Sequence, residues 1–217
     1  MSYKAILFDL DGTLLDTLED LADSANRVLS AGGFPQHRLE AYRYFVGDGL
    51  AMLVTRALPE DQRNEEIIRD CLNAFLKDYR RNWKVKTKPY KGIPGLLDAL
   101  TTRGIRMAVL SNKLHDFTRL CVSEFFFNWQ FEAVFGQREN VPPKPDPTGA
   151  LEIAERLNLV PSEFLYLGDS AVDMKTAVAA SMFPVGVTWG FRTADELQKN
   201  GCKVLIDQPQ EVLDLLT

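Results

Sequence analysis

The chain has 217 residues, a net charge of -5, and 46% hydrophobic, 25% charged and 10% aromatic residues. That balance is ordinary for a globular protein with room for one large domain, or for a core and a smaller companion. No Lys/Arg run stands out, so nucleic-acid binding is not expected, and no stretch of about 18 apolar residues exists to span a membrane. Cys71, Cys121 and Cys202 are odd in number and far apart, which excludes a disulfide framework or a zinc knuckle and points to a reducing, cytoplasmic setting. The first apolar run is cut short by Asp9, so a signal peptide is not expected.

In chain order, the first apolar run covers residues 5–10 and reads as a strand. Residues 16–83 then hold helical patterns and no convincing strand. Leu18, Leu21, Ala22, Ala25, Val28 and Leu29 share one face, stopped by Gly32-Gly33. A second helix is expected over residues 38–45. A third would be capped by Asp48, with Leu50, Leu53, Val54, Ala57 and Leu58 on its apolar face. The fourth carries Ile67, Cys71, Leu72, Phe75, Tyr79 and Trp83. Four helices can enclose a small core of their own.

Beyond them, strand-like runs at 107–110, 133–135 (the weakest), 164–167, 185–189 and 204–206 alternate with helical patterns at 95–103, 117–126, 147–159, 171–181 and 210–216. Continuous apolar runs suit strands buried on both faces. The rhythm therefore predicts an α/β fold with a doubly wound, mainly parallel sheet and a Rossmann-like core, interrupted by a four-helix insert. The expected division is 1–15 and 86–217 for the core and 16–85 for the insert.

Four polar clusters follow predicted strands: Asp9-Leu10-Asp11-Gly12-Thr13, Ser111-Asn112-Lys113, Lys144-Pro145-Asp146-Pro147, and Gly168-Asp169-Ser170 with Asp173. The carboxyl ends of neighbouring parallel strands open onto one crevice, where ligands bind. Asp9, Ser111 and Asp169 converge there if their strands are adjacent. Taken alone, the first cluster could be a calcium loop, but positions six and twelve from Asp9 are Leu14 and Asp20, not the Gly and Glu that such a loop needs. It could also be a turn whose Asp side chains cap backbone N–H groups. Asp9, Asp11, Asp169 and Asp173 together would repel: at ~4 Å two like charges cost several kcal/mol at an effective dielectric of ~20. A cation must compensate, and magnesium, which takes oxygen ligands, fits. Lys144 can neutralise a further charge and still donate to a phosphate oxygen. His37 and His115 are read as surface or structural residues, and no zinc-like group is present.

Singly, Ser111 and Asn112 also read as strand-end turn residues, Lys144 as a solvated side chain, and Asp173 as a helix N-terminal charge. Gly47 and Gly49 either relieve backbone strain or form a loop whose N–H groups reach a ligand, with Arg56 supporting that loop.

The order DLDGT, LSNK, KPDP, GDSAVD resembles the four motifs of the haloacid dehalogenase superfamily. Val46-Gly47-Asp48-Gly49-Leu50 followed by Arg56-Ala57-Leu58, and Val187-Thr188-Trp189-Gly190-Phe191-Arg192, are similar to the cap segment and final substrate-side loop of its phosphoglycolate phosphatase-like branch. The insert corresponds to that family's helical cap. The resemblance implies a magnesium-dependent phosphatase acting on a small phosphomonoester, with 2-phosphoglycolate heading the list. Asp9 would be the nucleophile that carries an aspartyl phosphate, and Asp11 the general acid and base. The Asp9 carboxylate, the Asp11 carbonyl and Asp169 would hold Mg2+, with Asp173 and Ser170 orienting them. Thr13, Ser111, Asn112 and Lys144 would hold the phosphoryl group, and Gly47, Gly49 and Arg56 would form the cap's substrate loop.

A sugar phosphomutase of the same superfamily is an alternative, although the Lys-Gly-x-Ser-Arg cap segment of that branch is missing. A haloacid dehalogenase would lack the acid at Asp11, and a phosphonate hydrolase would need a cap lysine. A different class, a phospho-aspartate signalling module without turnover, normally places its acceptor after the third strand. A dinucleotide binder would need a G-x-G-x-x-G turn after the first strand. A small phosphorylated metabolite is the expected partner, and the protein is expected to be a monomer or weak dimer.

Overall fold

The structure, a computed structural model, describes residues 3–216. It begins with β1 (Ala5–Phe8) and the short β2 (Leu15–Asp16), followed by helices α1 (Leu18–Ala31), α2 (Leu39–Phe45), α3 (Leu50–Ala57) and α4 (Glu65–Asn82), then β3 (Lys88–Pro89). From there helices and strands alternate: α5 (Ile93–Thr102), β4 (Arg106–Leu114), α6 (His115–Phe125), β5 (Ala133–Gln137), α7 (Thr148–Arg156), β6 (Phe164–Gly168), α8 (Ala171–Ala179), β7 (Phe183–Val187), α9 (Ala194–Lys199) and β8 (Val204–Ile206). Among the described residues no helix is long and apolar enough to cross a membrane.

The larger sheet runs in the order β5-β4-β1-β6-β7-β8, with every pairing parallel. All four residues of β1 are buried, and the two-residue period of a strand sends them into opposite layers. Ile6 and Phe8 join an apolar cluster with Leu96 and Leu97 of α5, whereas Ala5 and Leu7 join Ile153 of α7 in a second cluster on the other face. That two-sided burial is why β1 reads as an unbroken apolar run. The chain winds outward from β1 to β4 and β5, then crosses back to place β6 on the other side of β1. The reversal opens a crevice at the carboxyl ends of β1 and β6.

The helices α1 to α4 sit in sequence between β2 and β3, which pair antiparallel as a separate two-stranded piece. Asp20 of α1, itself buried, accepts hydrogen bonds from the Lys86 and Thr87 N–H groups and from Thr87 Oγ1 at 2.8–3.0 Å. It thereby ties the outgoing and returning chain together.

Some elements differ from expectation. Asp48 does not cap α3: Gly49 stands at that N-cap with no side-chain bond, and Asp48 pairs with Arg56 at 2.6 Å. The expected helix at 210–216 is a 3-10 helix, Pro209–Leu216. Helix α9 escapes a periodicity search because Leu197 is its only buried residue. Leu7 lies at the centre of the sheet and is fully buried, so Leu7→Ala is expected to lower the unfolding free energy by about 2–5 kcal/mol. Urea titration with an unchanged m-value checks it.

Candidate active site

Asp9 follows directly on β1, and its N–H donates to the Leu167 carbonyl of β6 at 2.9 Å. The chain then turns tightly: Gly12 N–H donates to the Leu15 carbonyl at 2.8 Å, with Gly12 at φ +94°. A Cβ on Gly12 would lie 2.3 Å from Asp169 Oδ2, and one on Gly190 would lie 2.3 Å from Asp169 Cβ. Glycine at these two positions lets both loops close over the Asp169 carboxylate, whose Oδ2 accepts the Phe191 N–H at 2.7 Å.

Lys144 arrives from the loop between β5 and α7. Its buried ammonium donates to Asp9 Oδ1 at 2.7 Å, Asp173 Oδ1 at 2.7 Å and the Leu110 carbonyl at 3.1 Å, which uses all three donors. Ser170 caps α8 and forms a reciprocal box with Asp173, whose Oδ2 takes the Ser170 N–H at 3.1 Å and hydroxyl at 2.6 Å. Carboxylate oxygens of Asp9, Asp169 and Asp173 lie within 4.8 Å of one another.

The electrostatics follow from burial and from too few cations. Burial and then Asp173 push the Asp9 carboxyl up to about 7, with Lys144 pulling the other way. Burial, then Asp173 and Asp9, raise Asp169 well above the usual carboxylate range. Burial pulls the Lys144 group down, but Asp173 and Asp9 outweigh it and raise it well above its ordinary value, which keeps the ammonium charged. Asp11 has a separate partner: Lys113 Nζ reaches its two oxygens at 3.1 and 3.2 Å and also donates to Tyr79 Oη of α4 at 3.0 Å. Four carboxyl groups thus face two ammoniums, so that with all four ionised the excess is two negative charges, which one divalent cation would offset.

Asp9, Asp11, Ser111, Asn112, Lys144, Asp169 and Ser170 line one cavity, and Gly47 and Gly49 face it from the insert. Three expected site residues behave differently. Thr13 is fully buried behind this cavity rather than lining it, and its Oγ1 has no hydrogen-bond partner. The Asn112 amide is spent on backbone: Oδ1 accepts the Lys144 N–H at 2.9 Å, and Nδ2 donates to the Lys144 and Gly47 carbonyls at 3.0 and 3.1 Å. The Asp11 carboxylate stands outside the acidic group, held by Lys113. Arg56 braces the 44–48 segment through Asp48 and the Tyr44 and Phe45 carbonyls. His37 bonds the Ala57 carbonyl and His115 accepts the Gly136 N–H, both structural contacts.

Sequence reasoning missed Lys113 as a site residue, although it sits in a quoted cluster. The missing signal was the pairing with Asp11, which needs the sheet order. Tyr79, placed on an apolar helix face, likewise gave no hint that its hydroxyl meets a buried ammonium.

The sequence pattern of haloacid dehalogenase-like hydrolases matches residues 6–187. A phosphoglycolate phosphatase from Nitrosospira multiformis is 31% identical over 216 residues, covering 98% of this chain and 95% of the relative. One from Psychrobacter arcticus is 30% identical over 224 residues, covering 100% and 96%. A crystal structure from Lactobacillus delbrueckii subsp. bulgaricus superposes with a TM-score of 0.92 at 30% identity, over 100% of this chain and 99% of that one. With residues of all four polar clusters lining one crevice, although Ser111-Asn112-Lys113 lies within β4 and Lys144 in a loop, the chain belongs to the haloacid dehalogenase-like hydrolases. Within them it falls in the phosphoglycolate phosphatase-like branch and is a phosphoric monoester hydrolase.

The raised Asp9 group gives a signed stability prediction. Folded, Asp9 keeps its proton up to about pH 7, whereas the unfolded chain releases it near pH 4. Unfolding therefore releases a proton in that window, and the stability this group contributes at low pH is lost as pH rises from about 4 to about 7. In chelating buffer, Asp9→Asn should gain stability relative to wild type across that window. Melting temperatures at a series of pH values check it.

Proposed function

We propose that this hydrolase cleaves a small phosphomonoester, 2-phosphoglycolate above all, through a phosphorylated Asp9. The observation that carries the proposal is Asp9 at the mouth of the crevice, bonded to the Lys144 ammonium and grouped with Asp169 and Asp173. An Asp9 carboxylate oxygen attacks phosphorus as the bond to the leaving oxygen breaks, and Asp11 gives that oxygen its proton. Water then attacks the aspartyl phosphate, Asp11 takes the water's proton, and inorganic phosphate leaves Asp9 regenerated. Ser111 orients the phosphoryl oxygens, and Lys144 joins it by exchanging one of its three present bonds for a phosphoryl oxygen, whereas Asn112 holds the backbone of Lys144 in place.

The all-oxygen donor set and, with all four carboxyls ionised, its excess of two negative charges fit Mg2+. Asp9, the Asp11 carbonyl and Asp169 would hold it, with Asp173 fixed by Ser170 and Lys144 as an orienting neighbour. When bound, the ion supplies charge stabilisation for the transferring phosphoryl oxygens. We divide the chain into a core (1–15 and 86–217) and a helical cap (16–85), with Gly47 and Gly49 presenting the cap loop to substrate and Arg56 stiffening it. Three free thiols suit a reducing cytoplasm.

A panel of small phosphorylated metabolites, compared by kcat/KM for Mg2+-dependent phosphate release, tests the substrate, and a flat profile overturns the preference for 2-phosphoglycolate. Asp9→Asn is expected to lower phosphate release by about a thousandfold or more with an unchanged circular dichroism spectrum, and near-normal turnover would sink the covalent route. Lys113 fixes the Asp11 carboxylate, so Lys113→Met should cost about a hundredfold on an alkyl phosphate. The loss should be far smaller on p-nitrophenyl phosphate, whose leaving group departs without a proton. Equal losses on both would remove Lys113 from the proton-transfer step.

A further inference from the structure

Arg192, in the loop after β7, carries a guanidinium whose bonds are only partly filled. Its side chain is 10% exposed, and Nε pairs with Glu196 at 3.4 Å. Nη2 donates to the Val46 carbonyl at 2.8 Å, and the guanidinium carbon lies 5.3 Å from the Tyr44 ring centroid. Nη1 is buried and has no partner. A buried, unpaired guanidinium nitrogen is costly unless something binds it, and Arg192 lines the same cavity as Asp9.

The other cations around that cavity are committed. Lys144 is taken by Asp9 and Asp173, and Lys113 by Asp11. Arg192 is thus the lining cation with a spare donor. Its bond to Val46 and its contact with the Tyr44 ring place it at the seam between core and insert. The walls near that seam include Leu50, Leu53, Phe75 and Phe117, side chains without donors or acceptors, against which the hydroxyls of a sugar phosphate would go unpaired.

We propose that Arg192 Nη1 binds a carboxylate on the leaving-group half of the substrate, which makes Arg192 the specificity-determining residue for phosphorylated hydroxy acids. A single free nitrogen suits a singly charged carboxylate rather than a second phosphate. The inference rests on the phosphatase reading above and deepens it by naming what the enzyme recognises beyond the phosphoryl group.

The test compares 2-phosphoglycolate with ethyl phosphate, which has the same length without the carboxylate, in wild type, Arg192→Met and Arg192→Lys. Arg192→Met is expected to lose about 30-fold or more in kcat/KM on 2-phosphoglycolate, mainly through KM, and less than about threefold on ethyl phosphate. Arg192→Lys should recover part of the first loss. A role limited to holding Val46 and Tyr44 would lower both substrates alike; equal losses, or none, overturn the proposal.

Binding of 3-phosphonopropionate and propylphosphonate by calorimetry, with Mg2+ present, reads the same contact without turnover. Wild type should favour the carboxylate-bearing phosphonate by a similar factor, and Arg192→Met should not discriminate. A wild-type protein that discriminates between the phosphonates yet hydrolyses no phosphomonoester would overturn the catalytic reading alone. One that binds both phosphonates equally overturns the role of Arg192.

Discussion

The site depends on one buried ammonium. Lys144 Nζ joins Asp9, after the first strand, to Asp173, on the eighth helix, and both bonds are 2.7 Å long. Burying a charge is tolerable only with close partners of opposite sign, and removing one partner leaves an uncompensated charge inside the protein. Much of the surrounding structure serves that contact. The Asn112 amide grips the backbone of Lys144 on both sides of its peptide unit, and the Ser170 box aims Asp173. Gly12 and Gly190 let two loops close over Asp169 at distances that a Cβ would forbid. The cluster holds more carboxyl groups than cations even so, a set of oxygen donors whose charge Lys144 alone does not balance.

The helical insert is joined to this centre along two lines. At the chain crossings, Asp20 binds Lys86 and Thr87. Across the cavity, side chains reach carbonyls or a hydroxyl on the opposite side: Asn112 to Gly47, Arg192 to Val46, Arg43 to Gly190, and Lys113 to Tyr79. Three of these bonds have a charged donor, worth about 1.5–3 kcal/mol each, and Asn112, Val46 and Tyr79 are buried, so the insert is held at the cavity as well as at the chain crossings.

Much of this was legible in the sequence because strands buried on both faces leave continuous apolar runs, and the polar clusters terminate them. The doubly wound sheet and the helical insert follow from that pattern, and the meeting of Asp9, Ser111 and Asp169 in one crevice follows from strand adjacency, whereas the roles given to these residues come from the family resemblance. What stayed hidden needed three dimensions. Asn112 looked like a phosphate donor because a strand-end amide has the right chemistry, but nothing local showed that two carbonyls already occupy its nitrogen. Thr13 carried the right hydroxyl and points it into the protein. Lys113 meets Asp11 because the first and fourth strands are neighbours, and it meets Tyr79 because that side chain of α4 packs beside Phe117 of α6. Helix α9 and the two-residue strands β2 and β3 bury too little to leave a periodic trace.

The position of β1 has a consequence for how the chain is made. Strand β1 is central in the sheet, and its hydrogen-bonding partners begin far downstream, at Arg106 and Phe164. Until those segments emerge, Ala5–Phe8 presents two open edges and two apolar faces, while helices α1 to α4, close in sequence, already have one another to pack against. The enzyme is therefore expected to pack α1 to α4 early and its sheet late, with an exposed apolar β1 in the interval. For such a chain the hazard of synthesis lies in the wait for residues far downstream, and a chaperone holding residues 5–10 would address it.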